Sequence, residues 1–317
     1  MYDIVTLGSS SIDIFVTTEA KKTKSLLCYP VGGKILIQDI KFMTGGGGLN
    51  TAIAFSKLKL KTACLGKLGN DTKPDLILKR LKKEKIDFLG VKGSGITGHS
   101  IILDSHKIND RTILTYKGIN NNLNYNEIKK VKTKWFYFSS MLGKSFDSQK
   151  KLAEYASKNN IKIAYNISIY LAKKGINHIR PILKRCSIFI SNKEEILALT
   201  KMKDIIKAMK KVYLINNSLV CVTDGANKLY LYDGYYIYSL KPHKVKIKEK
   251  TGAGDAFASG LVAALIKNKG IEQSLNIALL NSEAVIRGLG ANNNLLTWNE
   301  LIKLYKNNKV KVYKKRY

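Results

Sequence analysis

Short apolar runs alternate with amphipathic, helix-like stretches along most of this chain of 317 residues. The apolar runs predict buried strands at Asp3 to Leu7, Thr62 to Leu65, Trp135 to Phe138, Lys162 to Tyr165, Ile188 to Ile190 and Leu219 to Thr223. The amphipathic stretches predict helices at Asn50 to Leu60, Pro74 to Lys83, Ser148 to Lys158, Ile179 to Lys184, Lys193 to Leu199, Asp255 to Lys267 and Ser274 to Gly288. Alternating strands and helices are typical of an α/β fold with a mostly parallel sheet and helices on both faces. Ligands of such sheets bind beyond the carboxyl ends of the strands.

Two pairs of segments follow a strand pattern with no helix between them, which predicts antiparallel hairpins. They are Ile12 to Val16 with Lys34 to Met43, and His99 to Leu103 with Arg111 to Tyr116. Asn109-Asp110 predicts the turn of the second hairpin, because short polar side chains suit tight turns. We expect a small β-sheet that projects from the main body. The sequence has no internal repeat or linker, so we interpret 1–317 as one domain, with the hairpins inserted at about 12–43 and 97–117.

The composition is that of a globular protein with a large core, since 45% of the residues are hydrophobic. No stretch reaches the roughly 20 apolar residues of a membrane span. Met1 to Val5 runs directly into a strand pattern with no basic segment, so we expect no secretory signal peptide. The four cysteines are far apart and indicate reduced thiols in a cytoplasmic protein.

The formal net charge of +32 favours anionic partners such as nucleic acids, membranes or phosphorylated ligands. The lysines are scattered, however, with only a modest cluster at Lys306 to Arg316, and no aromatic and basic motif accompanies them. We interpret the charge as a solvated surface that also favours polyphosphates. A nucleic-acid-binding or sugar-binding protein without catalytic activity is the alternative from another class.

The segment Thr251 to Phe257 carries the most specific chemistry of the chain. The small residues Gly252, Ala253 and Gly254 let the backbone approach a ligand and turn several N–H groups toward one point. A helix that begins there adds its positive dipole end. Asp255 is poorly placed to bind the anion but well placed to take a proton from a group that attacks it. An anion site beside a base predicts phosphoryl transfer to a hydroxyl.

Four consecutive glycines precede a predicted helix within Thr44 to Ala52. They indicate a backbone brought very close to a ligand. Asn50, near the start of this helix, can donate and accept hydrogen bonds to hydroxyls. A flexible loop with a helix cap is an equally good interpretation.

Two predicted strands end in polar residues that suit a nucleotide. Glu195, in the segment Asn192 to Glu195, could hold a hydrated Mg²⁺, which prefers one or two carboxylates together with phosphates. The alternative, which the segment alone favours, is a capping box that opens a helix. A nucleotide could also lie at Val222 to Gly225, where the alternative is an ordinary turn into a hairpin.

Taken in order, these segments resemble the ribokinase-like (PfkB) carbohydrate kinase family over Asp3 to about Asn294. The runs Gly45 to Ala52 and Leu65 to Asp71 are similar to the N-terminal signature of the family, and Thr251 to Phe257 is similar to its C-terminal signature. The resemblance implies a ribokinase-like three-layer α/β/α fold with a mostly parallel central sheet and a small projecting β-sheet as a lid.

The resemblance also implies roles for individual residues. Asp255 matches the catalytic base, and Gly252, Ala253 and Gly254 match the anion hole. The substrate side comprises Asp13, Gly45, Gly46, Asn50 and Asn166. The nucleotide side comprises Asn192, Glu195, Thr223, Gly225 and Asn281, with Glu195 in indirect contact with Mg²⁺. Asn109 to Thr112 resembles the end of the lid hairpin, and Gly118 to Asn120 resembles the segment that follows it.

The implied activity is ATP- and Mg²⁺-dependent transfer of the γ-phosphate to a primary hydroxyl of a small sugar. A nucleoside kinase on the same scaffold is the alternative, and the lid aromatics Phe15 and Tyr116 leave it open. Relatives often pair their lids, so a homodimer is expected.

The chain departs from the family pattern in two places. Glu249 and Lys250 stand where the family usually has Asp-Thr, in a segment that many members use for activation by a monovalent cation. A lysine ammonium there could replace the ion or repel it, so we expect activity nearly independent of potassium. Asn166 stands where an aspartate is frequent, so the identity of the sugar does not follow from the resemblance.

Overall fold

The computed structural model describes residues 1–19, 21–24, 26–105 and 108–317. The strands in these residues are β1 (Tyr2–Leu7), β2 (Ser11–Thr18), β3 (Lys21–Thr23), β4 (Leu26–Cys28), β5 (Asp39–Gly45), β6 (Thr62–Leu65), β7 (Lys67–Leu68), β8 (Asp87–Phe88), β9 (Val91–Lys92), β10 (Gly98–Ser105), β11 (Ile108–Tyr116), β12 (Thr133–Phe138), β13 (Lys162–Asn166), β14 (Ile188–Asn192), β15 (Leu219–Thr223), β16 (Leu229–Tyr232), β17 (Tyr236–Leu240) and β18 (Tyr313–Arg316). The α-helices are α1 (Gly47–Lys57), α2 (Pro74–Lys83), α3 (Gly143–Lys158), α4 (Ile169–Ala172), α5 (Ile176–Leu183), α6 (Lys193–Thr200), α7 (Ile205–Asn216), α8 (Ala253–Ile266), α9 (Ile271–Val285) and α10 (Trp298–Asn308).

A ten-stranded sheet forms the centre of the molecule, in the order β18-β17-β16-β15-β14-β13-β12-β1-β6-β8. The strands from β15 to β8 are parallel, and β16, β17 and β18 add an antiparallel edge. Strand β1 continues toward β6 on one side, whereas β12 begins the series β13, β14 and β15 on the other. The strand order therefore reverses between β1 and β12, where a parallel sheet opens a crevice for ligands.

Helices cover both faces of the central sheet because its strands carry apolar side chains on both faces. In β12, Phe136 and Phe138 belong to the core formed with α3, α5, α6 and α7, whereas Tyr137 between them packs with α8, α9 and α10. All three side chains are completely buried. Burial on both faces is typical of parallel sheets. The prediction of a mostly parallel sheet between two helical layers is confirmed.

A separate four-stranded sheet has the order β11-β10-β2-β5. Strand β2 pairs antiparallel with β5, and β10 pairs antiparallel with β11, as the hairpin prediction requires. The parallel pairing of β2 with β10 joins the two hairpins into one sheet. A two-stranded ribbon of β3 and β4, which the sequence pattern did not indicate, lies between β2 and β5 in the chain.

The turn predicted at Asn109-Asp110 is misplaced. Both residues lie within β11, in which Ile108 pairs with Ser105 of β10, and residues 106 and 107 between the two strands lie outside the described residues. Strand β5 likewise begins only at Asp39, after the first residues of the predicted segment from Lys34.

Helices α7 and α10 were not predicted, although both begin with good caps. The Asp204 side chain accepts a hydrogen bond from the Lys207 N–H at 2.8 Å, and Thr297 forms a capping box with Glu300. These caps satisfy N–H groups that a helix start leaves without partners. Of the helices in the described part of the chain, none is long and apolar enough to cross a membrane.

Candidate active site

The chain turns into α8 at Gly252, whose φ is +83°. Glycine adopts this left-handed conformation without strain, and a Cβ here would lie 2.3 Å from the carbonyl oxygen of Ala291. The first N–H groups of α8 have no partners within the helix and carry its positive dipole end. Around Gly254, no described atom lies within 4 Å of the position that a Cβ would take. The start of α8 therefore has the shape and charge of an anion site.

Asp255 lies in the first turn of α8, directly after these glycines. Burial raises the pKa of its carboxyl to about 6. A hydrogen bond from Asn50 Nδ2 to Asp255 Oδ2 at 2.9 Å lowers the pKa, and the negative charge of Asp13 raises it further. A carboxylate with a pKa near neutrality is suited to accept a proton from a hydroxyl.

The Asn50 amide is held toward this carboxylate by a second amide. Asn292 Nδ2 donates to Asn50 Oδ1 at 2.8 Å and to the Thr44 carbonyl at 2.9 Å. Both asparagines are buried, so little water competes for these bonds. Asn50 was expected to bind substrate hydroxyls, but its amide is already bonded to Asp255 and Asn292. Sequence reasoning missed Asn292, since an asparagine within an Asn-Asn-Asn run has no motif around it.

Asp13 lies on the small sheet, against a glycine that leaves room for its carboxylate. A Cβ on Gly45 would lie only 1.9 Å from Asp13 Oδ2. Ser11 Oγ donates to Asp13 Oδ1 at 3.2 Å, and burial raises the pKa of Asp13. Gly46, with φ of +93°, turns the chain from β5 into α1. Asp13 and Asp255 are thus close enough for the charge of one to change the pKa of the other.

The loop after β12 lies against the start of α1 and close to the base. A Cβ on Gly47 would lie 2.1 Å from Ser139 Oγ and 3.6 Å from Asp255 Oδ1. The backbone of α1 can approach both groups only because this position is glycine. The crevice between β1 and β12 therefore opens directly beside Asp255.

Two buried amides fix the loops that form this crevice. Asn120 accepts a hydrogen bond from the Ser10 N–H and donates one to the Ser10 carbonyl, each at 3.0 Å. Gln149, fully buried on α3, donates to the Ser139 carbonyl at 2.7 Å. The backbone after β1 and after β12 is therefore held in place by buried amides.

Asn192 and Glu195 form the capping box that begins α6. The Glu195 N–H donates to Asn192 Oδ1, and the Asn192 N–H donates to Glu195 Oε2, each at 2.8 Å. Burial raises the pKa of Glu195 to about 7, against the effect of the Asn192 N–H, and the charges of Glu194 and Asp255 raise it further. Glu195 is thus close enough to Asp255 to respond to its charge.

Thr223 and Gly225 extend the same edge of the sheet. Thr223 is the register partner of Asn192 at the carboxyl ends of β15 and β14. Gly225 has φ of +54°, with no described atom within 4 Å of its Cβ position. Asn192, Thr223 and Gly225 therefore form a strip of residues at the carboxyl ends of β14 and β15.

Two of the expected ligand residues have other contacts. Asn281 on α9 is fully buried, and its Nδ2 donates to the Ala256 carbonyl at 2.8 Å. This bond joins α9 to α8, so Asn281 supports the helix that carries Asp255 and faces no open space. Asn166 ends β13 and donates to the Ile190 carbonyl at 3.4 Å. The nearby hydroxyls of Ser168 and Ser140, 2.7 Å apart, lie in the crevice.

The unusual Glu249 is buried and receives two hydrogen bonds from Thr251, from the N–H at 2.9 Å and from Oγ1 at 2.8 Å. Its ion-pair partner is Arg111 of β11. Lys250, expected to supply the positive charge here, is exposed. The resemblance identified Arg111 only as part of the lid hairpin. Its ion pair with Glu249 was not predicted, because the two residues are far apart in the sequence.

Among the described residues, no group of three or more His, Cys, Asp and Glu side chains is placed to hold a metal ion. A hydrated Mg²⁺ needs fewer protein ligands, since it keeps several waters and takes other oxygens from phosphates. The carboxylate of Glu195, beside this strip at the start of α6, fits that limited role.

A parallel α/β sheet whose crevice has an anion-binding helix start beside a carboxylate is the arrangement expected of a phosphotransferase. Residues 1–298 match the family described as pfkB family carbohydrate kinase, and the chain belongs to this family. It is therefore a kinase, as the sequence predicted.

Known proteins similar to this chain include both sugar and nucleoside kinases. An uncharacterized sugar kinase of Archaeoglobus fulgidus is 27% identical over 252 residues, which cover 77% of this chain and 98% of the relative. The structure of ribokinase from Thermotoga maritima has a TM-score of 0.83 and 21% identity, covering 97% of this chain and 100% of that chain. The structure of adenosine kinase from Sinorhizobium meliloti has a TM-score of 0.83 and 19% identity, covering 95% of this chain and 98% of that chain. These two structures establish the ribokinase-like fold and leave the acceptor open.

Proposed function

We propose that this kinase transfers the γ-phosphate of ATP to a primary hydroxyl of a small sugar, with Asp255 as the general base. The position of Asp255 carries the proposal. Its carboxylate lies in the first turn of α8, beside the anion site, and is oriented by the 2.9 Å bond from Asn50. Its pKa, raised to about 6, leaves it mostly ionised at neutral pH yet able to take a proton.

In the proposed reaction the sugar lies in the crevice, with Asp13 bound to its hydroxyls. Asp255 takes the proton of the attacking hydroxyl as the new bond to the γ-phosphorus forms. The bond from this phosphorus to the bridging oxygen breaks, and ADP leaves with the electron pair. The N–H groups from Gly252 to Asp255 stabilise the charge on the transferred phosphoryl oxygens.

The phosphate donor would lie along the strip past Glu195, Thr223 and Gly225. When bound, Mg²⁺ neutralises phosphate charge, and Glu195 would hold it through water. Asn192 sets the position of Glu195 through the capping box. Asn281 stays a prediction for the nucleotide side: its Nδ2 is bonded to α8, and its buried Oδ1 has no hydrogen-bond partner among the described residues.

We infer that the small sheet acts as a lid that keeps water, a competing acceptor, out of the site. Its Phe42, Ile101 and Leu114 are 60%, 39% and 52% exposed. These side chains belong to one cross-strand row through Ile14. An exposed apolar row supports a homodimer through the lid. Light scattering should then give twice the 35.5 kDa chain mass, and Phe42→Glu should give the monomer.

The cysteines support a cytoplasmic location, because all four are free thiols and three of them are buried. Proteins of reducing compartments keep such thiols unpaired.

The test is ADP release over a panel of ribose, fructose, 2-keto-3-deoxygluconate, sugar phosphates and nucleosides. Asp255→Asn should lower kcat by about 10²–10⁴-fold, the usual contribution of a general base, with ATP binding largely kept. Asp147→Asn, on the exposed surface of α3, is the matched control and should keep the wild-type rate. Near-normal turnover of Asp255→Asn would refute the assignment of the base, and a nucleoside as the best acceptor would select the alternative.

A further inference from the structure

A pocket lies in the crevice between β1 and β12, next to the loop that lies close to Asp255, and it has the apolar side chains of Met141 and Leu142 as well as polar groups in its lining. Its lining includes Ser9, Asn120, Ser140, Ser168, Lys117 and Tyr170. Of the described residues around this pocket, Lys117 alone carries a charge, and the lining contains no carboxylate. The pocket is therefore positive, whereas a pocket for a neutral sugar usually needs only hydrogen-bonding groups.

The Lys117 ammonium makes no direct ion pair with a carboxylate of the described residues, although the charge of Asp13 reaches it. It is part of none of the ion pairs in the described chain. Its Nζ lies 5.4 Å from the centroid of the Tyr170 ring. Burial lowers the pKa of Lys117, and the charge of Asp13 acts against this effect. A partly buried ammonium without an ion pair is stabilised when an anion reaches it.

Lys117 and Asp13 give the acceptor site two groups of opposite charge, each near enough to shift the pKa of the other. Asp13, beside Gly45, is an acceptor for hydroxyl protons and repels anions. Lys117, in turn, attracts an anion and has the hydroxyls of Ser140 and Ser168 nearby to bond it. A ligand that carries both hydroxyls and a negative charge matches both groups.

Tyr170 makes a nucleobase a poor match for the same pocket. It is the one aromatic side chain among the described residues of the lining, and the Lys117 ammonium lies over its ring. A stacked base would have to displace this ammonium and lose the cation–π contact.

Resting on the proposed kinase function, we propose that the acceptor is an anionic sugar whose carboxylate or phosphate binds Lys117. The reacting hydroxyl is then distinct from the anion, and Asp13 orients the hydroxyls of the molecule. Lys117 is thus a specificity-determining residue that acts in binding, apart from the proton transfer at Asp255.

The experiment compares matched acceptors that keep a free primary hydroxyl. Gluconate is measured against glucose for the carboxylate, and fructose 6-phosphate against fructose for the phosphate, by ADP release. At least one anionic member should have the higher kcat/KM, and the pair that shows it identifies the anion. In Lys117→Met the ratio of anionic to neutral kcat/KM should fall by about 10- to 100-fold, as expected for a bond between charged groups. Lys117→Arg should keep most of the preference.

Lys158→Met is the control for total charge, because Lys158 is an exposed residue at the end of α3. It should leave the ratio at its wild-type value. Calorimetric binding of the anionic acceptor without ATP gives a second readout, which Lys117→Met should weaken by the same factor. The proposal would be overturned if the wild type preferred the neutral members or nucleosides. It would also be overturned if Lys117→Met lowered kcat/KM equally for both members of a pair. Failure of the kinase function would look different, since no acceptor would then release ADP.

Discussion

Arg111 of the small sheet forms an ion pair with the buried carboxylate of Glu249. Glu249 in turn accepts hydrogen bonds from the N–H and the hydroxyl of Thr251, the residue just before the anion site at the start of α8. The strand β11 is thereby tied to the loop that leads into α8. Because the guanidinium neutralises Glu249, the loop keeps its shape with a cation supplied by the protein.

We expect turnover to depend little on potassium, since Arg111 already provides the positive charge at Glu249. The measurement replaces KCl by choline chloride at constant ionic strength. Arg111→Ala should be slower, because it leaves a buried carboxylate unpaired, and should regain part of its rate when potassium or guanidinium is added. Strong potassium activation of the wild type would contradict this explanation.

The acid limb of the pH profile should report Asp255. The base must be ionised, so kcat/KM should be full above an apparent pKa of about 6 and fall as the pH drops through it. Asn50→Ala removes a hydrogen bond that lowers this pKa, and its acid limb should move to higher pH. Asn159→Ala, at the exposed residue that follows α3, should keep the wild-type limb. An unshifted limb in Asn50→Ala would show that the bond does not tune the base.

Asp255 should destabilise the fold at neutral pH. Its pKa rises from 3.8 to about 6 on folding, so the folded state binds more protons than the unfolded state between these values. Stability is therefore lost as the pH rises through this window. Asp255→Asn should raise Tm at about pH 8, and by less at about pH 5, whereas Asp147→Asn should change neither. A Tm difference that is the same at both pH values would exclude ionisation as its cause.

Gly45→Ala should weaken acceptor binding more than ATP binding. The added Cβ would lie 1.9 Å from Asp13 Oδ2, so the carboxylate must move. We expect KM for the acceptor to rise by roughly tenfold or more, since small misplacements in a site are costly, with KM for ATP near its wild-type value. Gly270→Ala is the control, because no described atom lies within 4 Å of its Cβ position. Equal effects on both KM values would indicate general damage to the fold.

Local sequence patterns predicted a helix or strand well where its own residues mark its beginning and its end. Helix α2 was predicted with its observed bounds, since a proline at its first turn and an amphipathic pattern define it. Strand β15 was also predicted with its observed bounds. The motif at Asp255 lies at a helix start, as expected, because small residues and a following apolar stretch favour that geometry.

The side-chain partners could not be predicted in the same way. The amide that orients Asn50 comes from Asn292, 242 positions away in the chain. Whether Asn281 faces a ligand or a neighbouring helix depends on how α9 packs on α8, and the residue type alone does not decide it. The proposed role of Lys117 could not be predicted from its residue type either. It depends on the described lining of the pocket, which contains no carboxylate.

Two buried amides fix the backbone around the crevice, and a different set of side chains would contact the acceptor. Asn120 and Gln149 hold the peptide groups of Ser10 and Ser139, whereas the acceptor would meet the side chains of Lys117, Ser140 and Ser168. These side chains can be exchanged while the backbone stays in place. Such a site can change its acceptor over evolution by single substitutions and keep its phosphoryl-transfer chemistry throughout.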